Sequence, residues 1–182
     1  FLWSSTPDAE LTALADAGRL NDPATIEAQV DRMLAHPRSR ALVDNFAAQW
    51  LYLRNLDGFV PNSSGFPNFD DNLRQGLKAE TELFFASIVD EDRSVVDLMT
   101  ADYTFLNERV AKHYGVQKEI ASKDQVELVE GANAFHRGGL LRLGAVLTAT
   151  SAPLRTSPVK RGDWVLRRVL GTPIPPPPAD AG

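Results

Sequence analysis

The sequence repeats one pattern that strongly constrains its fold: a small polar residue, then proline, then apolar residues at helical spacing. Thr6-Pro7, Asp22-Pro23 and Ser157-Pro158 each combine a good N-cap residue with a proline at the first helical position. The apolar residues that follow recur every three or four positions, the period of an amphipathic helix. This pattern predicts a mainly α fold: an irregular helical bundle with a small mixed or strand-containing C-terminal part.

Two of the predicted helices define the expected core. The longer runs from about Asp70 to Val89. The one before it covers residues 39–56, and its apolar stripe consists of Leu42, Phe46, Trp50 and Leu53. Because Phe46 and Trp50 lie on that stripe, we expect both to be buried.

Within the longer helix, Glu80 and Glu82 raise the question of a metal site or an acid–base pair. Residues two apart on a helix point in different directions, and no Glu-x-x-His accompanies them. We therefore interpret both as part of a solvated face.

The remaining elements are shorter. Thr104 is predicted to cap a helix over residues 105–114, which Gly115 ends. Residues 125–129 alternate polar and apolar side chains like a brief strand, and residues 140–150 are apolar enough for either state.

Charge is segregated along the chain, whose net charge is -5. Residues 136–171 carry seven Lys and Arg against one Asp, whereas residues 1–135 carry twelve Lys and Arg against twenty-two Asp and Glu. We predict a helical domain at 1–125, a basic segment with short strands and a final helix at 126–172, and a proline-rich linker at 173–182 to a downstream domain.

Residue usage argues against several functions. The chain has no cysteine, which excludes disulfides, thiolate metal sites and covalent haem attachment within it. It contains no H-E-x-x-H, G-x-S-x-G or nucleotide-cradling glycine motif, so we predict no catalytic or metal-binding residue. The acidic total and the lack of aromatics among the arginines argue against nucleic acid, and no apolar run could span a bilayer.

Several ordered motifs carry a resemblance to a known family. They are F-L-W-S-S, N-F-A-A-Q-W-L, F-P-N-F-D-D-N-L-R, D-Y-T-F-L-N-E-R-V-A-K-H-Y-G, R-G-G-L-L, T-S-P-V-K-R-G-D-W-V-L and L-G-T-P-I-P-P-P-P. The chain resembles the secreted, planctomycete-type cytochrome-c-like multidomain proteins, specifically two adjacent domains of unknown function. In such proteins the proline run is typically followed by C-x-x-C-H. The resemblance thus implies a periplasmic or extracellular location and a c-type haem in a downstream segment, with no cofactor in this chain.

The basic segment then suggests a binding surface. Haem propionates are carboxylates, and guanidinium groups bind carboxylates bidentately. We predict that Arg155 and Arg161, with Arg137 and His136 as further members, contact the haem domain of the same polypeptide. The alternative is that these arginines form salt bridges with the acidic helical body.

Two functions follow as expectations. The first is a non-catalytic accessory or docking module that supports a downstream haem domain in electron transfer, with other secreted redox proteins as further partners. The second is a structural module that binds a partner protein or glycan and has no redox role. Whether the chain is an enzyme is left open, since that would require an apolar pocket with perturbed titratable groups.

Overall fold

The computed structural model describes residues 1–116, 120, 125–172 and 174–175. Its α-helices are α1 (Ala9–Asp16), α2 (Pro23–Leu34), α3 (Ala48–Trp50), α4 (Asp71–Asp90), α5 (Asp97–Thr100), α6 (Glu108–Tyr114), α7 (Gly144–Ala149) and α8 (Pro158–Trp164). Two π-helical segments, Leu42–Ala47 and Val165–Val169, adjoin α3 and α8. Short 3-10 turns cover Arg19–Asn21, Pro37–Ser39, Leu53–Leu56, Ala132–Phe135 and Leu140–Arg142. The strands are β1 (Tyr103–Leu106) and β2 (Glu127–Glu130).

Helix α4 is the centre of the fold, and it packs against β1, α6 and α7. The carboxylate of Asp70 caps it by accepting the Leu73 backbone N–H at 2.7 Å. The predicted helix at 70–89 is therefore confirmed to within a residue at each end. Its predicted apolar residues are all buried in the main core: Leu73, Leu77, Phe84, Phe85 and Ile88.

The two strands form an antiparallel pair in which Tyr103 faces Glu130 and Leu106 faces Glu127. The strand predicted at 125–129 is confirmed by β2. The predicted start of the helix over residues 105–114 is wrong, because Thr104 lies inside β1 and Asn107 caps α6 instead, whereas its predicted end before Gly115 is confirmed. Aromatic and β-branched residues favour a strand here, and the Thr104 hydroxyl is used for a side-chain hydrogen bond rather than for a cap.

The prediction for residues 39–56 is only partly correct. Hydrogen bonds in a π-helix span five residues rather than four, so the segment Leu42–Ala47 shifts the apolar stripe that follows it. The expected burial of Leu42 and Leu53 is confirmed, and the other buried residues of this segment are Val43, Ala47, Ala48, Leu51 and Leu56. The expected burial of Phe46 is wrong, since it is 40% exposed, and Trp50 is only partly buried, with Nε1 donating to the Arg168 carbonyl.

Of the three predicted pairs of a cap and a proline, two are confirmed. Asp22 caps α2 and Ser157 caps α8, each with proline at the start of the helix. The prediction for Thr6 is wrong, because Asp8 caps α1 while also forming an ion pair with Arg32 at 2.7 Å.

These elements confirm a mainly α fold with a small strand-containing part. The predicted linker at 173–182 lies, apart from residues 174 and 175, outside the described residues. None of the described helices is both long and apolar enough to cross a membrane.

Candidate functional site

A cleft of about 380 Å³ opens between the loop that precedes α4 and the basic segment. The loop is tied to the opposite side by a hydrogen bond from the Asn62 backbone N–H to the Pro153 carbonyl at 3.0 Å. The cleft is lined on its apolar side by Phe59, Phe66, Phe69, Leu77 and Leu147, and on its polar side by His113, Arg137, Ser151, Arg155 and Arg161. Aromatic rings and guanidinium groups thus face the same space.

The structure brings together three of the four predicted site residues. Arg137, Arg155 and Arg161 all line the cleft, whereas His136 is not among its lining residues. His136 is exposed and has a left-handed backbone, with φ of 60°.

The arginines of the cleft lack acidic partners within the part of the chain that the structure describes. Arg161 donates to the Leu147 carbonyl and to the Ser151 hydroxyl, both at 3.3 Å. Arg155 is exposed. None of the ion pairs among the described residues includes Arg137, Arg155 or Arg161, so the salt bridges expected in the alternative interpretation are not found there.

Arg137 lies against the ring of Tyr114, with its guanidinium carbon 4.0 Å from the ring centroid. Its Nε is buried and has no hydrogen-bond partner among the described residues. The chain beside Arg137 can pack this closely only with glycine, because a Cβ at Gly138 would overlap the Ala101 carbonyl oxygen. The R-G-G sequence therefore permits the close backbone approach that places Arg137 in the cleft wall.

Glu80 lies directly behind that wall and is completely buried. Its Oε1 accepts a hydrogen bond from the Thr104 hydroxyl at 2.7 Å, and its Oε2 accepts one from the Tyr114 hydroxyl at 2.5 Å. The Gly144 backbone N–H donates to the same Tyr114 oxygen at 2.9 Å. Glu80 is therefore linked to the lining of the cleft through one phenol.

Burial raises the pKa of Glu80 to about 7, although the hydrogen bonds from Tyr114 and Thr104 and the charge of Arg137 act in the opposite direction. Burial and the neighbouring Glu80 also raise the pKa of Tyr114 well above its ordinary value. Desolvation, followed by repulsion from Arg109 and Arg137, lowers the pKa of His113.

The interpretation of Glu80 as part of a solvated face is wrong. It belongs to the buried stripe formed by Leu73, Leu77 and Phe84, because 73, 77, 80 and 84 share one helical face. This spacing alone indicates, from the sequence, that Glu80 is buried. Glu82 lies off this face, where it is partly exposed and pairs with Arg40 at 3.4 Å.

The chemistry of the cleft is that of an anion receptor with an apolar wall. Guanidinium groups supply donors for a carboxylate, and the phenylalanines supply area for an apolar body. No group of three or more His, Asp and Glu side chains suited to a metal ion occurs among the described residues.

Two family models match different parts of the chain, and residues of both parts line this cleft. Residues 1–116 match PSD4, described as a protein of unknown function (DUF1592), and residues 137–182 match PSCyt3, a protein of unknown function (DUF1588). The chain belongs to the PSD4 family, which covers more than half of it, and the predicted pair of adjacent domains of unknown function is confirmed. No curated protein and no solved structure matches the chain. The apolar wall comes mainly from the first matched region and all three arginines come from the second.

Proposed function

We propose that this chain is a non-catalytic docking module of a secreted c-type cytochrome-like redox protein. In this proposal the arginine side of the cleft receives a carboxylate-bearing edge of a haem domain that lies downstream in the same polypeptide. The resemblance of the ordered motifs implies the haem domain and a periplasmic or extracellular location. The two adjacent domains of unknown function agree with that family context.

One observation carries the proposal. Arg137, Arg155 and Arg161 converge on one cleft without a carboxylate partner among the described residues. Guanidinium groups grouped in this way repel one another, and a counter-charge from outside would offset that repulsion. The two propionates of a haem are suitable counter-charges because guanidinium binds carboxylate bidentately.

The residues fit a propionate edge better than a whole haem. A cleft of about 380 Å³ lies at the low end of the range for small-ligand sites, which begins at roughly 300 Å³. The haem would therefore remain in its own domain and present its propionates at the mouth of the cleft. When bound, it would supply one-electron chemistry, while this chain would orient the domain and add positive charge beside it.

The proposal is tested in the protein extended through the residues that follow Gly182 in its gene. Replacing both Arg155 and Arg161 by Gln should lower the haem reduction potential, because nearby positive charge favours the ferrous state. The matched control is Arg40→Gln, which removes an arginine already paired with Asp44 and Glu82 and should leave the potential unchanged. An unchanged potential in the double variant, together with a clearly lower melting temperature, contradicts haem docking.

A second candidate is a structural module that binds a partner protein or a glycan and has no redox role. The aromatic side of the cleft favours it, since Phe66 is 45% exposed and could pack against an apolar or sugar surface. This candidate requires no haem. An extended protein that lacks a cytochrome spectrum after expression with haem attachment machinery would support it over the first.

A further inference from the structure

We propose that the cleft is a binding site for a small amphipathic carboxylate, and that Glu80 behind its wall takes up a proton when the ligand binds. The inference rests on the proposed function in one respect, because both require the three arginines to attract an anion. It goes further by assigning a diffusible ligand class to the cleft and by giving the buried glutamate a role.

The apolar half of the ligand is specified by the lining. The ring centroids of Phe59 and Phe69 are 6.2 Å apart at a steep angle, so their edges and faces present a fixed aromatic corner. Leu77 and Leu147 extend this surface inwards. A ligand with a phenyl or short alkyl body would bury apolar area on these side chains, which favours its binding.

The carboxylate half of the ligand is indicated by guanidinium groups that lack a carboxylate partner among the described residues. Arg137 lines the cleft and its Nη1 donates to a neutral acceptor, the His136 carbonyl, at 3.0 Å, while Arg155 reaches the same cleft from an exposed position. The side-chain hydrogen bonds of Arg161 go to neutral acceptors at 3.3 Å, long enough for a carboxylate to replace them at little cost. Charge-assisted bonds are roughly twice as strong as neutral ones, which favours an ionised ligand.

The link to Glu80 follows from the charges around it. Thr104 of β1, Tyr114 of α6 and the Gly144 N–H of α7 surround this network, and Arg137 supplies the nearby positive charge that favours the ionised carboxylate. A ligand carboxylate on Arg137 adds negative charge on the other side of the wall. The ionised form of Glu80 then becomes less favourable, so the glutamate binds a proton. By reciprocity, protonation of Glu80 strengthens ligand binding.

The first experiment is isothermal titration calorimetry of this chain with 3-phenylpropionate as the probe. The matched controls are 3-phenyl-1-propanol, which has the ring without the charge, and propionate, which has the charge without the ring. We expect each control to bind at least about tenfold more weakly, equivalent to about 1.4 kcal/mol. An alcohol that binds as tightly as the acid overturns the carboxylate assignment, and so does an acid that does not bind.

The arginine contribution is measured with Arg137→Gln, for which we expect at least a tenfold loss of affinity for 3-phenylpropionate. Arg93→Gln is the matched control, because this arginine pairs with Glu91 and lies over a different tyrosine, Tyr103. Equal affinity in the Arg137 variant and the wild type overturns the proposed contact.

Proton uptake is measured by repeating the titration near pH 7 in two buffers of different ionisation enthalpy. We expect net uptake in the wild type and weaker binding as the pH rises from 6 to 8. Glu80→Gln should still bind the probe but should lose most of the uptake. His113 also lines the cleft, so His113→Gln is the companion variant and should retain the uptake. Uptake that survives in Glu80→Gln and disappears in His113→Gln overturns the role of Glu80.

A direct spectroscopic measurement covers the case in which Glu80→Gln does not fold. The carboxyl carbon of Glu80 in the wild-type chain can be followed by carbon-13 NMR against pH, with and without 3-phenylpropionate. We expect its titration midpoint to rise with the ligand, and an unchanged midpoint under saturating ligand contradicts the linkage.

The outcomes separate this inference from the docking function. The calorimetry uses the chain without any haem domain. If the probe binds but the Arg155 and Arg161 double variant leaves the haem potential unchanged, docking is rejected and the small-ligand site stands. If the double variant shifts the potential but the probe does not bind, docking stands and the small-ligand site is rejected.

Discussion

The two family regions differ in how many of their arginines form ion pairs. In residues 1–116, five arginines form ion pairs with carboxylates: Arg32, Arg40, Arg74, Arg93 and Arg109. In the described part of the second region, which covers 137–172 and 174–175, Arg167 forms an ion pair, with Asp163. Five of the eight arginines of the first region are therefore paired within it, whereas the second region leaves three of its six arginines facing a cleft without an ion pair among the described residues.

This difference is not the result of a loosely attached second region. Trp164 of α8 is 2% exposed in the main core, and Gly144 lies so close to Leu77 and Tyr114 that a Cβ there would overlap both. The two regions are thus packed together as tightly as parts of one domain. A fixed framework that holds unpaired charge indicates a surface suited to an external anion.

The largest expected effect tests this shared packing. Trp164→Ala should lower the free energy of unfolding by about 3 to 5 kcal/mol, as large-to-small changes of buried aromatics do. Trp50→Ala is the matched variant and should cost less, because Trp50 is only partly buried. Urea unfolding measures both. If the two variants lose the same stability, or Trp164→Ala loses none, α8 is not part of the common core.

The next effect concerns the glutamate that connects the two regions. The pKa of Glu80 is about 7 in the fold, against 4.5 for an ordinary glutamate. The folded state therefore holds this proton more tightly than the unfolded state does. The resulting contribution to the free energy of unfolding is fully present below pH 4.5 and is lost as the pH rises through 7. Relative to Glu80→Gln, the wild type should lose up to about 3 kcal/mol over this interval. A difference between the two that does not change from pH 4.5 to 8 would show that Glu80 titrates normally.

The smallest expected effect is the difference in stability lost when a paired arginine and an unpaired arginine are replaced. Arg109→Gln removes an ion pair with Asp70 and a hydrogen bond to the Asn68 carbonyl, and should cost about 1 kcal/mol. Arg155→Gln should change the stability of this chain by less than about 0.5 kcal/mol, because it breaks no ion pair among the described residues. Thermal unfolding at low ionic strength distinguishes them, and a larger loss for Arg155→Gln would mean that the cleft arginines hold the fold together.

Much of the helical framework could be predicted because its signals are local. The caps at Asp22 and Ser157 lie beside their helices, and the apolar spacing predicts the bounds of α4 to within a residue. The failures have non-local or irregular causes. A π-helical segment shifts the apolar stripe around Phe46, and the hydroxyl of Thr104 donates to Glu80, which is twenty-four residues away, instead of capping a helix.

The cleft could be predicted only in part. The run of basic residues identified Arg137, Arg155 and Arg161, but it also suggested His136, which does not line the cleft. The aromatic side could not be foreseen, because Phe59, Phe66 and Phe69 lie about seventy to one hundred residues before the arginines in the chain and local periodicity carries no information over such distances. Glu80 could have been found from its place on the buried stripe of α4.

A crystal structure of the protein extended past Gly182 would show directly whether the cleft arginines bind an anion from outside residues 1–172. We expect a carboxylate from the downstream part of the polypeptide, or from a bound small molecule, within hydrogen-bond distance of Arg137, Arg155 or Arg161. Acidic side chains of the helical body paired with all three guanidinium groups would contradict it.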